Sequence, residues 1–314
     1  MIDASRIAAI FDRFTTGWHF YLRDLRTGEA VEQGVRKAWP IGSCFKLAVL
    51  VAYFEALTDG SLPEGSLDSE SLIAPDRFRI GGGVINLLDS TIRLTDRHLL
   101  HWMLAASDGT ATDILIAKLG LARVNATLQR FAPASSLHVD LGDMVAGFRD
   151  IPEAPTCKTR EWSEAEAAEF CADVAALGAT NASELAALAL GACGLTLPAP
   201  LAGEYERCLN VGRSWPRTEF FIQPSIRVFS KSGSLGLRYF TQDCGVLFDS
   251  ASSTPLAIFG YCSEGWRLPG SMVDLVLGHL GIEIAKALGL SFTLNADWTP
   301  EGAALLLGDL WDGR

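Results

Sequence analysis

Apolar and polar residues alternate through Trp18-His19-Phe20-Tyr21-Leu22, and the turn-forming run Arg26-Thr27-Gly28-Glu29 follows, so a β-hairpin is predicted there. Residues 3–14 before it repeat with a helical period and read as an amphipathic helix. Residues 43–57 are different: Phe45, Leu47, Ala48, Val49, Leu50, Val51 and Ala52 leave almost no polar face. A helix apolar all round is a buried helix. The helical period returns from about 95 to 130. Residues 148–180, with Pro152, Pro155 and an acidic stretch over Glu161–Glu169, predict a loop carrying one exposed helix. After 218 the pattern turns to strands, at Ile226–Phe229, Arg238–Phe248 and Leu256–Cys262, and a last helix covers 271–289. This order predicts an α+β fold. Residues 1–42 and 218–290 build an antiparallel sheet lobe flanked by helices, 43–217 form an inserted helical lobe, and 291–314 are a C-terminal extension.

Composition narrows the function classes. With 314 residues, 49% of them hydrophobic, the chain fills a large core, which excludes wholesale disorder. A net charge of −11 repels phosphate backbones and anionic lipid, so neither nucleic acid nor a membrane surface is an expected partner. Seven scattered cysteines without a Cys-x-x-Cys pair read as free thiols. The N-terminal residues lack a basic segment followed by an apolar one, and the apolar stretches Leu47–Phe54 and Leu275–Leu280 fall far short of the ~20 residues a bilayer requires. The expectation is a cytoplasmic protein, unless an export signal has been trimmed from the chain.

Three short motifs carry candidate chemistry. Ser43-Cys44-Phe45-Lys46 opens the buried helix, and an i, i+3 pair shares one helix face. Serine is a weak nucleophile until a neighbouring base takes its proton, and a lysine stripped of water by an apolar helix can be that base. The bland alternative is a serine N-cap beside a surface lysine. Ser107-Asp108-Gly109 follows the apolar run Trp102–Ala106. It is either a helix end meeting a new cap or the place where Ser107 passes a proton to a leaving group. Lys231-Ser232-Gly233-Ser234 follows the strand Val228-Phe229-Ser230. It is either a polar hairpin turn or an inner strand aligned along a substrate. In the second case Lys231 neutralises a carboxylate, Gly233 permits close approach and the Ser234 N–H faces an oxyanion. Other signals are slight. His98 and His101 are spaced i, i+3 on a helix, yet no Asp, Glu, His or Cys partner clusters nearby, so no metal site is expected. Cys44 reads as a core thiol, and the glycines Gly81–Gly83 alone are no phosphate cradle.

In order and context the three motifs resemble the penicillin-recognising serine hydrolases, and among them the class A β-lactamases, whose signature set is S-x-x-K, S-D-N and K-T-G. Phe20–Gly28 resembles that family's first hairpin, Gly81-Gly82-Gly83-Val84 its Gly-x-Gly segment, and Ala106–Asp113 its S-D-N-T-A-T-N run. The resemblance implies the β-lactamase/transpeptidase-like fold over residues 1–290 and no metal or organic cofactor. It implies Ser43 as the acylated nucleophile and Lys46 as its base or proton relay. Ser107 is then the shuttle, Lys231 the carboxylate and proton-network residue, and the Ser43 and Ser234 amides form the oxyanion hole. Arg238 corresponds to the family's substrate-carboxylate arginine.

Two departures bear on activity. Gly109 stands where the family has Asn, removing a side-chain amide that holds the substrate, whereas Ser232 for Thr keeps the hydroxyl. The omega-loop Glu-x-x-Leu-Asn, whose Glu activates the deacylating water, is not recognisable. Asp143 and Glu153 are the carboxylates that could stand in for it. The expected function is therefore serine acyl hydrolysis, through Ser43, of a small β-lactam or ester bearing a carboxylate, weak as a β-lactamase. The alternatives are a D-Ala-D-Ala peptidase or penicillin-binding protein, and a binding or sensor protein that acylates without turnover.

Overall fold

The computed structural model describes residues 2–78, 83–139, 163–211, 218, 222–223, 226–235, 239–291, 293–294 and 307–308. In chain order, α1 (Ser5–Phe14) leads into the hairpin β1 (Gly17–Asp24) and β2 (Ala30–Gly34), then β3 (Trp39–Pro40). A single 3-10 turn, Ser43–Phe45, runs straight into α2 (Lys46–Thr58). The pair β4 (Glu70–Ile73) and β5 (Ile92–Thr95) precedes α3 (Asp96–Ala105), α4 (Gly109–Leu119) and α5 (Leu121–Phe131). Next come β6 (Ser136–Leu137), α6 (Glu164–Leu177), β7 (Gly178–Thr180), α7 (Ala182–Cys193) and α8 (Ala199–Leu209). The last stretch holds β8 (Ile222–Gln223), β9 (Ile226–Leu235), β10 (Phe240–Asp249), β11 (Pro255–Glu264), α9 (Gly270–Ala287) and β12 (Thr293–Leu294).

These elements divide into two compact units, one of Met1–Ala38, Asn181–Leu190 and Trp215–Arg314, the other of Trp39–Thr180 and Gly191–Ser214. The first unit is built on a five-stranded antiparallel sheet ordered β2-β1-β11-β10-β9. Ile7, Ile10, Phe11 and Phe14 form the buried face of α1, and this face packs with Phe20, Leu22, Phe259 and Tyr261 of the sheet and Val276, Leu277 and Leu280 of α9. Each large apolar side chain so buried contributes about 1.5–3 kcal/mol. Every residue of β10 from Phe240 to Phe248 is buried, the mark of a strand covered on both faces. Asn181–Leu190 supplies cover: Gly260 of β11 lies so close that a Cβ there would meet the Ala182 carbonyl oxygen at 2.1 Å. The C-terminal residues join this unit, with β12 pairing β8 and Leu307 wholly buried in the core.

The second unit is organised around α2. Its residues from Lys46 to Phe54 are all buried, as the unbroken apolar run predicts, and α3, α4 and α5 pack on it. Tyr53 of α2 donates to the buried Asp96 carboxylate at 2.7 Å, which also pairs with Lys118. Thr95 and His98 cap α3 reciprocally: the Thr95 hydroxyl accepts from the His98 amide, and the His98 ring accepts from the Thr95 amide. Helix α6 buries Phe170, Cys171 and Val174 and turns other residues outward, as expected of an exposed helix.

Candidate active site

Ser43 begins the 3-10 turn and Lys46 is the first α-helical residue, so both belong to one tight entry into α2. The surface-lysine alternative does not hold, because Lys46 is only 1% exposed. A fully buried ammonium is costly unless something receives its hydrogens. Here Ser107 does: Lys46 Nζ donates to the Ser107 carbonyl oxygen at 2.5 Å and to its hydroxyl at 3.1 Å.

Ser107 is held in a conformation that most residues avoid. Its φ is +55°, in the left-handed region, which costs a residue with a side chain about 1–3 kcal/mol. The neighbours dictate it. Ala106 closes α3 and Asp108 opens α4, and both amides bond the Trp102 carbonyl oxygen, at 3.1 Å each. The chain must reverse within one residue. That corner turns the Ser107 carbonyl and hydroxyl to Lys46.

Asp108 fixes the corner. Its carboxylate is 1% exposed and accepts three backbone N–H groups: Ala111 at 2.9 Å as the N-cap of α4, Val84 at 2.7 Å and Ile85 at 2.9 Å. Residue 83 must be glycine there, since its φ is +126° and a Cβ would lie 2.2 Å from Asp108 Oδ2. Gly109 is the first residue of α4 and is buried.

The model of the Beta-lactamase enzyme family matches the sequence over residues 4–284. The chain belongs to the Beta-lactamase enzyme family. Its structure resembles that of the beta-lactamase from Sphaerobacter thermophilus DSM 20745 with a TM-score of 0.67 at 20% identity, covering 92% of this chain and 98% of that one. A class A beta-lactamase representative from Bacteroides cellulosilyticus DSM 14838 superposes with a TM-score of 0.70 at 13% identity, covering 90% and 96%. PBP-A superposes with a TM-score of 0.65 at 15% identity, covering 91% and 96%. These identities establish the β-lactamase/transpeptidase-like fold. A comparison with curated proteins finds no significant sequence match.

In the sheet unit of this β-lactamase family member, Lys231-Ser232-Gly233-Ser234 lies inside β9, not in a turn after it, and β9 ends the five-stranded sheet in place of the inner strand expected. Register with β10 pairs Lys231 with Cys244, Ser232 with Asp243, Gly233 with Gln242 and Ser234 with Thr241. Lys231 is 2% exposed and donates to the Ser232 carbonyl oxygen at 2.7 Å, while Ser234 is exposed. Arg238, Asp143 and Glu153 lie outside the described residues. Within the helical unit the structure thus brings together Lys46 and Ser107, with Ser43 one turn before Lys46.

Cys44 is wholly buried, as a core thiol should be. His98 is engaged in the α3 cap. His101, however, corrects the sequence reading: Glu204 and Cys208, a hundred residues away in the chain, stand beside it. Asp108 and Gly83 are the residues whose importance the motif alone did not reveal. Asp108 was legible as the centre of Ser-Asp-Gly but carried no assigned role. Among the described residues no helix is long and apolar enough to cross a membrane.

Proposed function

We propose that this protein is a serine acyl-hydrolase that forms an acyl-enzyme on Ser43 with a small β-lactam or ester bearing a carboxylate, and that it is weak as a β-lactamase. The observation that supports this best is the buried Lys46, hydrogen-bonded to Ser107 and one helical turn after Ser43.

In this reading Lys46 takes the Ser43 hydroxyl proton as the oxygen attacks the substrate carbonyl carbon. The Ser43 and Ser234 amides hold the developing oxyanion. Ser107 then delivers the proton to the leaving nitrogen or oxygen as the carbon–heteroatom bond breaks, leaving the acyl group on Ser43. Lys231, Ser232, Gly233 and Arg238 serve the carboxylate end of the substrate. Water completes the cycle, adding its hydroxyl to the acyl carbon and returning a proton to Ser43. Asp143 or Glu153 is the base for that step, and Gly109 leaves the substrate amide less firmly held than Asn would.

A second reading is favoured by the unrecognisable Glu-x-x-Leu-Asn segment: a binding or sensor protein that stays acylated. Intact-protein mass followed against time with a cephalosporin carrying a 3′-acetoxy ester separates the two. A transient adduct with hydrolysed product supports the hydrolase. Loss of the acetyl group with the lactam intact narrows it to an esterase. A persistent adduct replaces it by the non-turnover protein, and neither adduct nor product contradicts both.

A further inference from the structure

Helices α3 and α8 of the helical unit face each other with an unusual set of side chains. His101 comes from α3, and Glu204 and Cys208 come from α8, where their i, i+4 spacing places them on one face. One ring nitrogen, one carboxylate oxygen and the sulfur all lie within 4.8 Å of one another. No other group of three such ligands occurs among the described residues.

The hydrogen bonding around Glu204 is lopsided. The residue is 2% exposed, and its Oε2 takes both Arg97 and Arg207. Its Oε1 is buried and accepts no hydrogen bond, and His101 Nε2, 3.4 Å away, is likewise a buried atom with no hydrogen-bond partner among the described residues. The Cys208 sulfur completes the group beside this pair.

We infer that His101 Nε2, Glu204 Oε1 and Cys208 Sγ bind a zinc-type divalent transition-metal ion. Nitrogen, oxygen and thiolate together are the donor set of tetrahedral zinc. Bond lengths of about 2.0–2.3 Å put such donors roughly 3.3–3.7 Å apart, so the present ones need to close by at most about 1.5 Å. Arg97 and Arg207 hold Oε2, orienting the carboxylate so that Oε1 points at the ion; Arg97 itself is held by Asp68 at 3.0 Å. His101 keeps 29% of its side chain exposed, so the cluster lies near the surface of the helical unit. Binding exchanges the Cys208 thiol proton for the metal: one S–H bond breaks, one metal–sulfur bond forms, and the proton leaves to solvent. The ion would tie α8 to α3, whose end leads into Ser107.

Titration of the full chain with Co2+ after chelator treatment tests this. The expected result is one equivalent bound with a thiolate-to-cobalt charge-transfer band and the visible bands of a tetrahedral ion, displaced by Zn2+. His101→Gln, a partly exposed change that spares the core, should weaken Zn2+ binding about 100-fold or more. Cys208→Ser should remove the charge-transfer band. His98→Gln, on the same helix but in the cap, should bind as the wild type does. Absence of the band at one equivalent, or a band that survives in Cys208→Ser, would overturn the inference.

Discussion

The Lys46 amine is hydrogen-bonded to Ser107 twice, at 2.5 Å to the carbonyl oxygen and 3.1 Å to the hydroxyl. The first contact depends on the left-handed backbone of Ser107 and the second on its side chain, so strain and chemistry can be separated by substitution. Ser107→Gly relieves the backbone cost and should be more stable than Ser107→Ala by about 1 kcal/mol in urea unfolding. Both should acylate about 100- to 10,000-fold more slowly than wild type, because both lose the proton-carrying hydroxyl. Equal stability of the two would contradict the strain argument, and unchanged acylation would remove Ser107 from the mechanism.

Asp108 should prove structural first. Asp108→Ala uncaps α4 and strands the Val84 and Ile85 amides, for a loss of about 3–5 kcal/mol. Gly83→Ala should be comparably damaging, since its Cβ meets the same carboxylate. Unfolding of the two variants against wild type checks this; a loss under about 1 kcal/mol in either would show that the 83–85 segment is held otherwise.

Acid should weaken the sheet unit through Glu283. Burial alone pushes this carboxyl up, yet hydrogen bonds from His279 and Lys286 prevail and hold it at about 2, and Arg6 adds an ion pair at 2.9 Å. A carboxyl whose folded value lies below its ordinary 4.5 stabilises above that value and loses the effect as pH falls towards 2. The contribution is roughly 3 kcal/mol, lost between those limits. Stability measured against pH should therefore fall less steeply across that window in Glu283→Gln. An unchanged slope would refute the assignment.

Lys231 tests the substrate side of the proposal. Lys231→Ala should depress kcat/KM for carboxylate-bearing substrates more than for neutral esters, by about tenfold or more. Equal losses would leave Lys231 without its carboxylate role.

What the sequence disclosed follows from how each feature is encoded. The burial of α2 was legible because nine consecutive residues from Lys46 to Phe54 are covered, which forces an apolar run with Lys46 as the one exception. The hairpin Gly17–Gly34 was legible because period-two alternation and a glycine turn are local signals. The strand carrying Lys231 was read too short, since the polar Lys231-Ser232-Gly233-Ser234 run breaks the apolar pattern while β10 still holds its backbone. The left-handed Ser107 left no trace either: its conformation is imposed by α3 and α4 ending against each other. Glu204 and Cys208 meet His101 only through tertiary packing, and no local pattern records a partner a hundred residues away. The same holds for Ala182 against Gly260, and for Leu307 in the core.

The central claim is that Ser43 is the acylated nucleophile. It is tested most directly by the intact mass of wild type and Ser43→Ala after brief exposure to the same cephalosporin. The account predicts a covalent adduct on the wild type and none on Ser43→Ala. An adduct of equal yield on Ser43→Ala, or an adduct on wild type that maps to a residue other than Ser43, would contradict it.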